Sequence, residues 1–373
     1  MISENVIVET KEFGQYGKDR ECHLMFHVAN TELPFAGQCR EVLDAMRKAT
    51  CRPGFTVVFL RFFLSDPATQ QCELMRQAGE PDCAVSVIGQ PPLDGSKIAL
   101  LAIMQENVTC TKLADSTFRV CHGGFGHLWT CCRTAEGTGS RRQTQQLLVG
   151  YGEELGEYGC SLADNCIRTW FFVRDIDVNY SGVVTARNEV FGSQGLTEQT
   201  HFIASTGIGG CTADRTKSVC MDAYSVSGLR PGQVRYLYAP THLNRTSEYG
   251  VAFERGTVVE YGDRRHVFIS GTASIDNRGN VVYPGDVLLQ TGRMLDNVES
   301  LLDEAGCGFD DVMHMLVYLR DISDFRAVDG IFRRRFPGMP LSVVYAPVCR
   351  PGWLVEMECM AVKGVHGGAC PDF

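Results

Sequence analysis

The 373-residue chain contains no apolar run approaching the roughly 18–20 residues of a membrane span, and its opening MISENVIVETKEF lacks the apolar centre of a secretory signal. A membrane protein is therefore not expected, and the cytoplasm is the expected setting. Positive charge is also short: 35 Lys and Arg stand against 44 Asp and Glu, a net charge of −9. That balance argues against nonspecific binding of nucleic acid or anionic membrane, although Arg333, Arg334 and Arg335 form one local basic run. No Walker-type phosphate loop, dinucleotide fingerprint or HExxH zinc motif occurs. The glycine-rich stretches 123–130 and 134–142 lack the residues that would bind phosphate, and the second reads as a strand-to-helix loop. No cofactor is expected.

Paired Cys-x-x-Cys spacing is absent too, despite 17 cysteines. An odd count without a secretory signal, with positions such as Cys22, Cys39, Cys72, Cys166, Cys220 and Cys359 inside predicted helices and strands, favours reduced, buried thiols. The adjacent pair Cys131 and Cys132 makes a poor metal site, because neighbours on a strand point to opposite faces. No metal is assigned.

What the chain does have is an internal repeat. VMHMLVYLRDISDF (312–325) is echoed by CIRTWFFVRDIDVN (166–179) and more faintly by TVVFLRFFLSDPAT (56–69). Each copy is an apolar, β-branched and aromatic run closed by a polar residue and an aspartate: Arg320 with Asp321, Arg174 with Asp175, Ser65 with Asp66. Amphipathic segments precede each run, two of them sharing a Gln-Thr pair, Gln143-Thr144 and Gln290-Thr291. A second helical segment and two strands follow: 84–89 and 98–105, 201–208 and 218–226, 341–348 and 354–363. The order hairpin, helix, strand, helix, strand, strand recurs three times, and the length suits three units at 1–115, 116–240 and 241–373. Any function is to be sought between them.

The last unit carries a specific resemblance. HVFISGTASIDNRGNVVYPGDVLLQTGRMLDNVESLLDEAG, the run at 312–325, LSVVYAPV and LVEMECMAV resemble the YjgF/Rid family, also catalogued as endoribonuclease L-PSP, over roughly residues 245–363. The resemblance implies an α+β, chorismate-mutase-like fold (ββαβαββ-type) and a homotrimer with clefts between subunits. Three such units in one chain imply a pseudo-trimer, either monomeric or a low-order homo-oligomer. The family's acidic residue matches Glu356, and aligning the last strands puts Cys220 and Ala99 in its place in the other units. A single cleft with Glu356 as acid/base is the expectation. In deaminating members an arginine about fifteen residues earlier anchors the substrate carboxylate, and that count lands on Leu341, with Arg350 or Arg187 as substitutes.

A second, partial resemblance is to chorismatases, through FISGTAS (268–274), the PGDV…QT helix start (284–291) and Cys349-Arg350 ahead of Glu356. Their Glu-Asn-Pro-Arg-Gln segment is replaced by HLNRTSEYGVAFERGT (242–257). Glu356, flanked by Trp353, Leu354 and Met357, is read as the catalytic carboxyl, its pKa raised by partial burial. Arg350, Cys349, Ser270, Gly271, Ala273, Arg187 and Tyr180 are the candidate substrate-binding residues. Arg320 and Arg174 read as structural partners of nearby carboxylates. The implied function is a hydrolase, lyase or imine deaminase acting on a small carboxylated metabolite, or a catalytically quiet metabolite-binding protein. A nuclease, the reading of the catalogue name alone, is opposed by the acidic charge.

Overall fold

The computed structural model describes residues 5–365 and 370–373. The first unit runs β1 (Val6–Phe13), β2 (Glu21–Val28), α1 (Phe35–Thr50), β3 (Phe55–Leu64), α2 (Pro67–Ala78), β4 (Ala84–Gly89) and β5 (Ile98–Glu106). The second runs β6 (Thr109–Lys112), β7 (Thr117–His122), β8 (Phe125–Arg133), α3 (Ser140–Glu157), the short α4 (Leu162–Asn165), β9 (Cys166–Val173), α5 (Ile176–Ser193), β10 (Ala204–Gly209) and β11 (Val219–Ser227). The third runs β12 (Val234–Leu237), β13 (Gly256–Glu260), β14 (Arg264–Ala273), α6 (Val287–Glu304), β15 (Val312–Leu319), α7 (Phe325–Arg335), β16 (Leu341–Tyr345) and β17 (Val355–Gly364).

The sheet orders are β1-β2-β5-β3-β4, β10-β9-β11-β8-β7-β6 and β12-β13-β14-β17-β15-β16. Each contains the same four-strand centre, in which the last strand lies between the hairpin and the repeated run, and the strand after the second helix pairs parallel to that run. The fold is α+β with three related units, as expected. The sheets change over between Glu106 and Thr109 and between Ser227 and Val234, so β6 and β12 are edges of the sheet that follows them.

Each repeated aspartate sits where its strand hands over to the next helix: Asp66 precedes α2, Asp175 precedes α5, and Asp321 begins the turn before α7, its carboxylate accepting from the Ser323 N–H at 2.8 Å. That bond satisfies an amide group the first turn leaves free, whereas Asp66 and Asp175 hold the same place without a side-chain cap bond to their helices. Arg320 behaves as a fold fixture, donating to the Val348 carbonyl at 2.7 Å and to Asp177 of the second unit. Arg333 is matched by Asp329 and Glu9, and Arg335 by Glu299.

Helices cover the outer face of each sheet, and the three inner faces share one hydrophobic core, in which Phe59 and Phe63 of the first unit, Trp129 and Trp170 of the second, and Phe268 and Leu316 of the third all take part. Charges inside it are paired across units. Arg61 Nη2 meets Asp222 Oδ2 at 2.8 Å, and Arg168 Nη2 meets Glu358 Oε2 at 2.8 Å, so two cations and two carboxylates from three units balance. All 17 cysteines are free thiols, but Cys72 is exposed on α2, not buried: the helix turns it outward beside Gln71 and Glu73. No helix among the described residues is long and apolar enough to cross a membrane.

Candidate functional site

Glu356 lies on β17 opposite Tyr318, one residue in from the start of its ladder with β15. Cys220 opposite Phe172 and Ala99 opposite Phe63 occupy the same register in the other units, so among the three only the third carries a carboxyl there. The side chain is 3% exposed, and among the described residues no hydrogen bond or ion pair engages it. Burial, with the negative charge of Glu358 two residues along, pushes its pKa up to about 8, against an opposing pull from Arg168 and Arg255. A group so placed holds its proton at neutral pH.

Its neighbour shows the alternative. Glu358 is on the same face of the strand, yet accepts from Arg168, Trp170 Nε1 at 2.7 Å and Thr206 Oγ1. One carboxyl is saturated by donors; the other faces a pocket.

That pocket sits between the second and third units. From α5 come Tyr180 and Arg187, from β10 Ser205, Thr206 and Gly207, and from the third unit Gly271, Ala273, Cys349, Arg350, Trp353 and Glu356. Of the residues expected from the sequence, Glu356, Arg350, Cys349, Gly271, Ala273, Arg187 and Tyr180 therefore share one cavity. Ser270 is the exception. It is fully buried one residue outside, its hydroxyl donating to the Glu254 carbonyl at 2.7 Å and accepting from the Ser205 N–H at 2.9 Å, which joins β14 to β10.

The small residues are required by contact. A Cβ on Gly271 would collide with Glu356 Oε1, and one on Gly207 would lie 2.7 Å from the Tyr180 ring. Arg187 is 1% exposed, with Nε and Nη2 lacking partners among the described residues, and its guanidinium rests near the rings of Phe171 and Phe253. Buried unpaired guanidinium donors are costly, and an anion in the pocket would satisfy them. Tyr249 Oη and Trp353 Nε1 are likewise unpartnered. Arg350 is held between the same two rings, 4.6 Å from the centre of Tyr249 and 5.0 Å from that of Trp353. Burial pushes the Cys349 thiol up to about 12, aided by Glu356, so it remains a thiol and not a nucleophile. About 30 Å³ of the cavity is free to the centre of a water molecule.

Two features lie beyond the sequence reading. Leu341 does not border this pocket: it is fully buried at the start of β16, its N–H donated to Glu9 of the first unit at 3.2 Å. Leu341 stands opposite Met315 as Ser205 stands opposite Thr169, and it is Ser205, from the neighbouring unit, that walls the Glu356 pocket. The loss of arginine at Leu341 therefore removes nothing from this site. The stretch 242–257 supplies an unforeseen wall, with Tyr249, Val251, Phe253 and Arg255 all facing the cavity. Arg255 is fixed by the Asn244 carbonyl at 3.1 Å. His122, His127, His201 and His242 do not line it.

Residues 256–363 match the family model described as Endoribonuclease L-PSP. A RutC family protein of Pyrococcus abyssi is 32% identical over 99 residues, covering 26% of this chain and 78% of that one. The 2-iminobutanoate/2-iminopropanoate deaminase of Capra hircus is 34% identical over 102 residues, covering 27% of this chain and 74% of its own length, and that of Mus musculus is 34% identical over 102 residues with 76% covered. Among solved structures, a chorismatase superposes with a TM-score of 0.65 at 19% identity, covering 82% of this chain and 93% of that one. At that identity the likeness concerns the fold, and it extends over nearly the whole molecule.

Proposed function

Starting from the chain's membership of the YjgF/Rid (endoribonuclease L-PSP) family, we propose that it is a small-molecule hydrolase in which protonated Glu356 is the general acid, acting on an acrylate that bears oxygen or nitrogen at C2. Enol ethers of the chorismate type and the enamine tautomer of 2-iminopropanoate share that skeleton. One acid serves both, because each is hydrolysed by protonating the same carbon. The observation that carries the reading is a carboxyl with a pKa near 8, unpaired, beside unpaired arginine donors in one pocket.

In this scheme the substrate carboxylate takes the free Nε and Nη2 of Arg187, and Arg350 leaves its aromatic neighbours to close over it. Glu356 gives its proton to C3. The C2 cation that results, oxocarbenium or iminium, adds water, and the carboxylate left on Glu356 takes the water's proton. The C2–O or C2–N bond then breaks, the leaving oxygen or nitrogen taking the proton of the new hydroxyl, and a 2-oxo acid departs. One water is consumed and Glu356 ends as it began. A single chain supplies both walls of the pocket, so the scheme needs no second copy.

A metabolite-binding role without turnover would use the same pocket, with neutral Glu356 serving only as a hydrogen-bond donor to the ligand. Release of 2-oxo acid from chorismate and from freshly generated 2-iminopropanoate, compared for wild type and Glu356→Gln, separates the readings. General acid catalysis predicts a fall of about 10²–10⁴-fold in kcat/KM in the variant. Equal turnover by both proteins rejects the scheme, and tight binding with no turnover by either supports the quiet reading.

A further inference from the structure

The junction between the first and second units is the counterpart of the Glu356 pocket, and it is built of sulfur. Arg133 lies opposite Met221 as Thr272 lies opposite Met357, and both pairings are broken by a bulge at that point, so Cys132 stands where the third unit has Gly271. Cys220 stands where the third unit has Glu356. Where Gly271 leaves room for a carboxyl, Cys132 fills the room with a thiol.

Cys132 takes a φ of 52°, a conformation uncommon for cysteine. The bulge brings the Sγ of Cys132, the Sγ of Cys220 and a carboxylate oxygen of Asp222 within 4.8 Å of one another. We propose that these three side chains bind a thiophilic, tetrahedral cation of the zinc type, with water from the adjoining groove as the fourth ligand. In such a site, Zn–S of about 2.3 Å and Zn–O of about 2.0 Å place ligand atoms roughly 3.5–3.8 Å apart, a spacing these side chains reach with small rotations.

The surroundings fit a cation. The Val87 N–H donates to Cys132 Sγ at 3.0 Å, the contact that orients and stabilises a metal-bound thiolate. Asp222 is fixed on its far side: Oδ2 accepts from Arg61 at 2.8 Å and Ser86 at 2.5 Å, while among the described residues Oδ1 accepts only the Cys132 N–H at 2.7 Å and keeps a lone pair. Arg61 is already matched by Asp222 and by Glu358 at 3.9 Å, and a divalent ion with two thiolates adds no net charge. Of the three, Cys132 borders a groove of about 820 Å³ that Val87, Cys83 and Cys110 also line, while Cys220 and Asp222 are buried behind it, so an ion would enter past Cys132. The ion would tie the first unit to the second at the place where the third unit carries chemistry.

The test uses the full-length, reduced, chelator-stripped protein titrated with Co²⁺. One equivalent should give a sulfur-to-cobalt charge-transfer band that Zn²⁺ abolishes. Cys132→Ser and Cys220→Ser should each weaken binding by about 100-fold or more, whereas Cys83→Ser and Glu356→Gln should retain the band. Should the serine variants fail to fold, the wild type alone decides: Zn²⁺ should protect Cys132 from alkylation in a peptide map. Absence of the band, an unchanged band in the Cys132→Ser/Cys220→Ser double variant, or equal alkylation with and without Zn²⁺ overturns the site.

Discussion

Glu356 and Glu358 are two residues apart on one face of one strand, both nearly sealed from solvent, and their chemistry diverges through their partners alone. Glu358 is compensated by Arg168, Trp170 and Thr206; Glu356 has none of these and keeps its proton. The consequence for stability has a definite sign. Because the folded pKa, about 8, lies above the ordinary value of 4.5, the contribution of Glu356 is intact below pH about 4.5 and is lost as pH rises towards about 8. Glu356→Gln, which cannot ionise, should match wild type in thermal unfolding near pH 4 and exceed it near pH 9, by at most about 5 kcal/mol. A constant difference across that range contradicts the assignment of the raised pKa. The carboxyl itself was legible in the sequence, through the motif around it. Its setting was not, because Ser205 and Arg255 reach the pocket from another unit and from a divergent stretch, and counting back along one chain led to Leu341, which faces the opposite junction.

The helices reveal what the repeat conserves physically. Gln143 and Gln290 each tie the loop before their helix to the loop before the last strand: Gln143 donates to the Gly137 and Thr216 carbonyls and accepts from Ser218, and Gln290 donates to the Tyr283 and Gly352 carbonyls and accepts from Leu354. Gln38 does the same in the first unit, donating to Thr31 and Leu33 and accepting from Lys97. That third copy escaped the sequence reading, since Cys39, not threonine, follows it. Replacing either glutamine by alanine strands buried backbone groups and should cost about 2–4 kcal/mol in denaturant unfolding. Only Gln290→Ala should also raise KM, because it alone holds the loop carrying Arg350; an equal KM effect from Gln143→Ala would contradict this. Strand positions were legible from apolar runs, but their ends were not. The run expected over 341–348 leaves the ladder at Tyr345, and its remainder, Pro347 and Val348, pairs with Gly209 and Ile208 of the second unit. Apolar periodicity reports burial without naming the partner.

Across the whole molecule, three related units enclose one core but do not make three equal junctions. The junction of the second and third units carries Glu356 and unpaired arginine donors; that of the first and second carries Cys132, Cys220 and Asp222; Leu341 and Ala99 are apolar at the corresponding positions elsewhere. A homotrimer repeats every substitution three times, whereas a single chain alters one junction and leaves the others, which lets one pocket keep a costly buried acid while paired charges such as Arg168 and Glu358 hold the axis. The threefold pattern and its asymmetry at the last strand were visible in the sequence; the sulfur cluster was not, because its ligands come from two adjacent strands and a bulge that no spacing rule predicts. The most direct measurement of the central claim is the infrared difference spectrum between wild type and Glu356→Gln as a function of pH. The account predicts a protonated carboxyl C=O band near neutral pH that fades through about pH 8; a carboxylate signature already complete at pH about 6 would contradict it.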